Sequence, residues 1–550
     1  MKTKEFVQAL CGKTLEDANQ DLYNTYGISN LFGSIEEVQE LVDFQCVTNH
    51  KKDEYGDWQT DFDFALSVCS RLKSRGVCPS IVVEPTCGKG NFLLAAIQTF
   101  DSIREVYGIE LYKPYIREAQ RRIIELSSTF QEQRNINFHL HHQSVFSFNF
   151  DEIANAHSGE EILIIGNPPW VTNSLLSEIA SENLPAKSNF KKVKGLEAIT
   201  GKGNFDISEY ISYQLIEAFG ETNCHFSFLV KNSVVKNIVY EQRYTRLPIK
   251  CISQYNFDAN KEFGVSVSAC LMDMSLGQAD ARTCNVYDYY TNESKNTFGW
   301  VGDKYVSDIH RYGDLASIDG TSQYEWWSGV KHDCGKVMEL TKVDGKYYNG
   351  FGEVAEVDEE TIYPLVKSSD IKKGAFRKYV ILTQRSVSEN TEEYLGRFPK
   401  TRAYLFRYAD KLDGRKSIIY KKRSRFAIFG IGDYSFAKYK VAISGLYKDT
   451  IFSLLSPIEG KPVIVDDTCY LIGFDKESDA KITCDILNSP IVQDFIKTLM
   501  FSDAKRVINK ELLMRVDIRE AANMLLQVDS NISRNQLQEY IMNLSKNTLL

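Results

Sequence analysis

The amino-acid sequence predicts an α/β fold: a largely parallel, seven-stranded sheet in the first half of the chain, then a region of mixed short strands and helices. Three observations predict it. Between about residues 51 and 290, apolar runs of strand length alternate with stretches of helical spacing, as a parallel sheet with crossover helices requires. Two of those runs, Ile81-Val82-Val83 and Ile162-Leu163-Ile164-Ile165, are apolar without alternation, which suits strands covered on both faces. Beyond about residue 295 the alternation fades and short, turn-bounded runs replace it.

Taken in order, residues 1–50 read as a helical segment without recognisable chemistry. Residues 51–290 form the first large domain, with strands expected at 81–86, 105–111, 135–142, 161–166, 225–232 and 251–257. A last strand, 268–276, follows a short connection and is expected to run antiparallel. Residues 114–126 have helical spacing, and a helix over 207–219 starts after Asp206, with Glu209 three residues on in a capping-box arrangement. Residues 291–550 form a second, mixed α/β domain. Its expected strands are 351–357, 378–384, 416–420, 426–431, 439–444 and 463–472, with helices at 477–488 and 490–500.

Composition narrows the function classes. At 550 residues the chain has room for two or three hydrophobic cores. No window approaches the roughly 18 apolar residues of a membrane span, and residues 1–20 lack the apolar core of a signal peptide. Twelve cysteines without a C-x-x-C pair point to reduced thiols in a cytoplasm and away from structural zinc. His139, His141 and His142 fall on one expected strand, where alternation leaves only His139 and His141 on a common face, so no metal site is expected. A net charge of −8 does not suit a protein that coats nucleic acid indiscriminately. Yet between Lys400 and Arg425 ten Lys/Arg stand against two Asp, interleaved with Tyr404, Phe406, Tyr408 and Tyr420. That mixture fits either a solvated charged face or a surface that holds phosphates and bases.

Three motifs carry chemistry. Ile81-Val82-Val83-Glu84-Pro85-Thr86-Cys87-Gly88-Lys89-Gly90-Asn91-Phe92 reads as strand, glycine turn and helix start, a place where backbone approaches a ligand closely. The next strand ends in Glu110, about twenty residues beyond the turn, where an acid can hold ribose hydroxyls in nucleotide-binding α/β domains. Asn167-Pro168-Pro169-Trp170 follows the buried run 162–166, so it is either a plain Asn-Pro turn or a reaction centre at a strand end. A long polar stretch, 171–204, follows, with Lys187, Lys191, Lys192, Lys194 and Lys202; it is expected to act as a lid.

Together these motifs resemble the S-adenosylmethionine (SAM)-dependent DNA amino-methyltransferases, specifically the N6-adenine enzymes of γ arrangement with a C-terminal target-recognition domain, as in restriction-modification systems. Tyr55-Gly56-Asp57-Trp58-Gln59-Thr60 is similar to the segment that closes over the methionine end of the cofactor. Glu84 to Phe92 matches the family's E-P-x-x-G-x-G-x-F loop, and 167–170 its N-P-P-[YFW] motif. Lys261-Glu262-Phe263-Gly264-Val265-Ser266-Val267-Ser268-Ala269 is similar to the segment whose aromatic packs on the extruded base. Three departures stand out: Asp61 where proline is common, Ser144 where many relatives carry an acid near the adenine ring, and Trp170 for the commoner tyrosine.

The resemblance implies a Rossmann-like methyltransferase domain and a set of roles. Asn167, Pro168 and Trp170 would be catalytic, and Thr60, Glu84, Thr86, Gly88, Gly90, Glu110, Leu111 and Asn167 would bind SAM. Trp170, Phe263 and Ser144 would contact the base, while Lys202, Arg415, Lys416, Lys421, Lys422, Arg423 and Arg425 would contact double-stranded DNA. A cognate restriction endonuclease is the expected companion, in a cytoplasmic setting with no membrane. The alternatives at this stage are an RNA N6-adenine or a protein-glutamine methyltransferase, a cytosine-N4 enzyme, or a non-catalytic DNA-specificity subunit.

Overall fold

The computed structural model describes residues 3–44, 58–172, 205–373, 376–421, 423–501, 506–528 and 530–547. The expected lid with its five lysines, residues 55–57 and Lys422 therefore lie outside the described residues. The chain divides into two compact units, Met1–Tyr305 and Val306–Leu550.

Unit 1 is built on one sheet. Helices α1 (Thr3–Leu10) and α2 (Leu15–Tyr26), strand β1 (Ile28–Ser29) and helix α3 (Ile35–Val42) come first. Then follow α4 (Phe62–Ser74), β2 (Ile81–Glu84), α5 (Asn91–Thr99), β3 (Glu105–Glu110), α6 (Lys113–Ser127), β4 (Ile136–His142), α7 (Phe150–Ala156) and β5 (Glu161–Gly166). The remainder is α8 (Ile207–Phe219), β6 (Asn223–Lys231), α9 (Asn232–Thr245), β7 (Ile249–Phe257), α10 (Ala259–Phe263), β8 (Ala269–Leu276), β9 (Thr283–Asp288), β10 (Ser294–Val301) and β11 (Lys304–Val306). All seven expected strands are present, in the order β4-β3-β2-β5-β6-β8-β7. β2 pairs in parallel with β3 and β5, and β8 runs antiparallel between β6 and β7. Every residue of β2 is buried, and the alternating residues Ile81, Val83 and Val82 face opposite sides of the sheet, so the unbroken apolar run is what two covered faces demand.

Two boundaries differ from the sequence reading. Residues 3–42 are not a separate segment: β1 joins the sheet beside β4, and Arg117 of α6 pairs with Glu37 and Glu40 of α3. The first unit also does not end at residue 290, because β9, β10 and β11 extend the sheet to eleven strands. β9 runs parallel to β7, and β10 folds back on β9. Helix α8 starts after Asp206 as expected, with Asp206 accepting from the Ser208 amide at 3.1 Å, but Glu209 Oε2 accepts from Asn237 Nδ2 at 3.1 Å instead of completing the expected capping box.

Unit 2 holds two sheets. The first contains β12 (Trp327–Ser328), β17 (Tyr439–Ser444), β18 (Ser453–Leu455) and β20 (Cys469–Phe474). The second contains β13 (Glu339–Val343), β14 (Lys346–Tyr348), β15 (Ile362–Val366), β16 (Lys378–Ile381) and β19 (Ile464–Val465). The helices Glu477–Leu487 and Pro490–Leu499 stand where expected and bury apolar faces in a core that includes Trp326. The run 463–472 splits into β19 and β20, because Asp466 turns the chain by accepting from the Thr468 amide at 3.0 Å. Residues 351–357 make only the single bridge Tyr348–Val354, and 416–420 contains a 3-10 turn, Ile418–Tyr420.

The expected strand 426–431 is reduced to the single bridge Lys331–Phe429, and the reason is visible in its hydrogen bonds. Arg415 donates to the Arg425 and Ala427 carbonyls at 2.8 Å, Thr383 Oγ1 donates to Phe426 O at 2.7 Å, and the Ile428 amide donates to Gln384 Oε1 at 3.2 Å. Side chains thus satisfy the backbone groups that a neighbouring strand would otherwise take.

Lys440 on β17 is 1% exposed and its ammonium meets Ala437 O at 2.6 Å. Burial pushes its pKa down to about 7. The unfolded chain keeps its proton up to the ordinary lysine range, so the stability deficit is full below about pH 7 and fades as pH rises toward about 10. Lys440→Met is therefore expected to raise stability by roughly 2–4 kcal/mol at slightly acid pH. The gain should shrink toward zero near pH 10, and denaturant titrations at both pH values check it; equal gains would contradict a buried neutral amine.

Candidate active site

Because β4, β3, β2 and β5 are adjacent and parallel, their carboxyl ends line up along one edge of the sheet. The chain leaves β2 for β3 and β4 on one side, then returns to β5 on the other. The crevice between β2 and β5 is thus the topological switch point, where open α/β sheets bind ligands. The glycine turn, Glu110, Ser144 and Asn167 all follow strands at this edge.

The glycine turn has Gly88 at φ +51° and Gly90 at φ +77°, both in the left-handed region that disfavours side chains. A Cβ on Gly88 would lie 2.6 Å from Gln59 Oε1. Glu110 holds the turn from the next strand: its Oε2 accepts the Gly88 amide at 2.8 Å and its Oε1 the Tyr112 amide at 2.7 Å. Leu111 beside it is 47% exposed and offers a flat ligand an apolar surface. Glu84 is buried and accepts the Leu93 amide at 3.2 Å. Burial pushes its carboxyl pKa well up, the Leu93 amide opposes this, and the Glu110 charge adds to it. Glu84 thereby favours its protonated form. Cys87 is buried and burial raises its thiol pKa, as fits a packing residue.

Three consecutive residues lash these parts together. Asn167 Nδ2 donates to Trp58 O at 2.8 Å, the Lys89 amide donates to Gln59 Oε1 at 3.2 Å, and Asn91 Nδ2 donates to Thr60 O at 2.6 Å. Gln59, which the sequence reading assigned no role of its own, bridges into the glycine turn. Asp61 is explained by the next helix: it caps α4 by accepting the Asp63 amide at 2.9 Å, a duty proline cannot perform. Four buried polar atoms around this strap, Thr60 Oγ1, Thr86 Oγ1, Asn91 Oδ1 and Asn167 Oδ1, have no hydrogen-bond partner among the described residues. Native proteins seldom leave buried polar atoms so, and a concentration of them marks a place built for a polar ligand.

The aromatic pair departs from expectation. Trp170 and Phe263 are both buried and touch edge to face, with ring centroids 5.2 Å apart and planes at 64°. A flat base between two aromatic faces needs a gap of about 7 Å, so the expected sandwich is not formed in this structure. Trp170 is held by the edge of β6 instead. Its indole N–H donates to Leu229 O at 3.1 Å, and Lys231 Nζ donates to its carbonyl at 2.7 Å and to Asp206 Oδ2 at 2.8 Å. Thr172 bridges Asp206, so Lys231 clamps both strands leading from residues 173–204. The sequence reading missed Lys231; a lone lysine at a strand end gives no signal until its neighbours are known. Ser144 Oγ accepts the Phe146 amide at 3.2 Å and shapes the turn after β4.

Among the expected DNA contacts in unit 2, Arg415 is a correction. It is 9% exposed and its guanidinium donates to the carbonyls of Leu412, His332, Ala427 and Arg425 while lying 3.8 Å from the Tyr420 ring centre. A cation so enclosed is a structural staple. Arg425 is engaged too: its Nε reaches both oxygens of Asp413 at 3.0 Å. Lys416, Lys421 and Arg423 are exposed. Lys202 and Lys422 lie outside the described residues. Among the described residues no group of three or more His, Cys, Asp or Glu is placed to hold a metal, and no helix is long and apolar enough to cross a membrane.

The order of the seven core strands, with β8 antiparallel between β6 and β7, and the strand-end crevice define the class I SAM-dependent methyltransferase fold, here with an additional α/β domain. The chain is 37% identical over 478 residues to the type II methyltransferase M.NspV of Nostoc sp. (strain ATCC 29411 / PCC 7524), an alignment spanning 86% of this chain and 98% of that protein. It belongs to the type II methyltransferase family. No protein-family profile matches the chain. Among solved structures it is similar to the type IIL restriction-modification enzyme MmeI in complex with DNA, at 12% identity and a TM-score of 0.48 over 98% of this chain and 79% of that one. The type IIG restriction endonuclease BpuSI aligns at 11% identity and a TM-score of 0.34, over 89% of this chain and 61% of that one.

Lys231→Ala is expected to cost roughly 1–3 kcal/mol, because it leaves the Asp206 carboxylate and the Trp170 carbonyl without their shared donor. Adding Asp206→Asn should recover part of that loss in urea titrations, and strict additivity of the two changes would contradict the clamp.

Proposed function

We propose that this chain transfers a methyl group from SAM to the N6 amine of an adenine turned out of duplex DNA, as the modification enzyme of a restriction-modification system. The observation that carries this reading is the Asn167 amide. Trp58 O can only accept, so the amide must turn its nitrogen there, and its buried oxygen is left as a fixed acceptor without a donor among the described residues. An exocyclic amine bears two hydrogens and needs two acceptors, for which Asn167 Oδ1 and the Pro168 carbonyl are suited. Membership of the type II methyltransferases and the exposed cations of unit 2 support DNA as the substrate.

The donor set of the crevice fits SAM. Glu110 would take the ribose hydroxyls, Leu111 would lie against the purine, and Thr60, Glu84 and Thr86 would surround the methionine end beside Gly88 and Gly90. When bound, the cofactor supplies an electrophilic methyl carbon on a sulfonium. The chain's own residues do the rest. Asn167 Oδ1 and the Pro168 carbonyl accept the amine hydrogens, draw the nitrogen toward a pyramidal form and direct its lone pair. The same two acceptors stabilise the positive charge that develops there, a preorganised effect that costs no reorganisation during the reaction. Extruding the base costs a few kcal/mol of stacking and pairing. Part of that is regained when Trp170 and Phe263 separate and take the ring. An asparagine at the first motif position favours adenine over cytosine, whose enzymes more often carry serine there.

Asn167→Ala is expected to lower turnover by about a thousandfold or more while SAM and DNA affinities stay within a few-fold of wild type. Rapid-quench methyl transfer and equilibrium binding check this, and matched losses in binding would sink the acceptor role. Expression in a host lacking adenine methylation, followed by genome-wide mapping of modified bases, is expected to yield N6-methyladenine at one recurring sequence. Methylcytosine would overturn the base assignment, and unmodified DNA the substrate.

A further inference from the structure

Resting on that reading of DNA as substrate, we propose that residues 416–421 and Arg423 form an apolar wedge with a basic collar. Ile418 and Ile419 enter a groove of the duplex, while Lys416, Lys421 and Arg423 hold phosphates on either side.

Ile418 is 75% exposed and Ile419 37% exposed. Two adjacent isoleucines in water forgo the hydrophobic stabilisation that any covering surface would return. Nor is their exposure the result of a loose loop. Asp413 and Arg425 tie its two ends together. Arg415 fills its interior, reaching four carbonyls, two of them on the returning strand of the loop at Arg425 and Ala427. Tyr420 lies under the Arg415 guanidinium, packs edge-on against Phe429 with centroids 5.3 Å apart, and donates to Lys331 O at 3.4 Å. The tip itself is the 3-10 turn Ile418–Tyr420, with the Lys421 amide donating to Ile418 O at 3.2 Å. This is a compact Ω-loop with a stiff base and an apolar tip.

The collar distinguishes the occupant. Lys416, Lys421 and Arg423 are exposed and make no ion pair among the described residues, whereas nearby Arg407 and Arg425 are paired with Glu353 and Asp413. An apolar tip set between unpaired cations complements a duplex, whose phosphate rails flank a groove lined by base edges and thymine methyls. Apolar side chains inserted at base steps are a recurrent means of bending DNA. In this arrangement the staples Arg415 and Arg425 are positioning residues and the three exposed cations are the contacts.

The test measures methyl transfer to plasmid DNA over a range of DNA and salt concentrations. I418S/I419S is expected to raise KM for DNA about tenfold or more, with kcat and salt dependence unchanged and the thermal midpoint lowered by only a few degrees, because Ile418 is mostly exposed and only Ile419 is largely covered. K416Q/K421Q/R423Q should instead flatten the log–log salt dependence by a slope of about 3. Unchanged KM for I418S/I419S, while the wild type methylates DNA, overturns the wedge alone. Wild-type self-association that the serine variant abolishes overturns it in favour of an interface between copies. A wild type that methylates no DNA overturns the reading beneath, and the wedge with it.

Discussion

Asn167 stands at the end of a buried strand and Trp58 just ahead of a helix 109 residues earlier in the chain, and the hydrogen bond between them decides which end of the amide faces the crevice. Without it the side chain rotates and its oxygen has no fixed direction. The bond in turn depends on the strap 58–60, which the glycine turn grips through Lys89 and Asn91. Glu110 then grips the glycine turn. Glycine turn, strap and candidate acceptor are therefore one connected network, and each member is oriented by the next. Glu84 lies beneath it, and its raised pKa lets a second carboxyl sit near Glu110 without adding a second buried charge.

A second clasp acts on the aromatic side of the motif. β6 holds Trp170 twice, through the indole N–H and through the carbonyl that Lys231 takes. The ring rests against Phe263, which belongs to the same apolar cluster as Phe64 and Phe257. Separating the two rings breaks an edge-to-face contact worth about 1 kcal/mol beyond its buried area, an amount that stacking on a base can offset. The backbone clasp and the ring contact are thus distinct: the first can persist while the second opens.

The sheet was legible because each of its seven strands is a short-range signal: apolar runs of the right length, separated by helical spacing and closed by turn residues. The glycine turn at the end of β2 and the position of 167–170 after β5 were legible for the same reason, since a few contiguous residues set each of them. What the sequence could not disclose is long-range. Lys231 and Gln59 matter only through partners 61 and 30 residues away. The eleven-stranded extent was missed because β9 joins the sheet beside β7 rather than beside β8, the strand that precedes it, a register that no local pattern encodes. Residues 426–431 have a strand's composition, yet Arg415, Thr383 and Gln384 take their backbone partners. Apolarity predicted their burial correctly and their conformation wrongly.

The same limit applies to charge. Ten cations against two acids between Lys400 and Arg425 suggest a uniform binding face, but burial divides them into kinds that composition cannot separate. A guanidinium enclosed by carbonyls and an aromatic ring spends its five donors on the fold, and Arg415 does this where lysine, with one compact ammonium, could not. The Asp413–Arg425 pair closes the loop at its base. Only after those two arginines have fixed the backbone do Lys416, Lys421 and Arg423 acquire a set spacing around Ile418 and Ile419. A positively charged segment can attract a polyanion from any conformation, but it can read a groove only if its shape is imposed beforehand. In this chain the imposing residues are themselves cations, which is why counting charge overstated the contacts and understated the architecture.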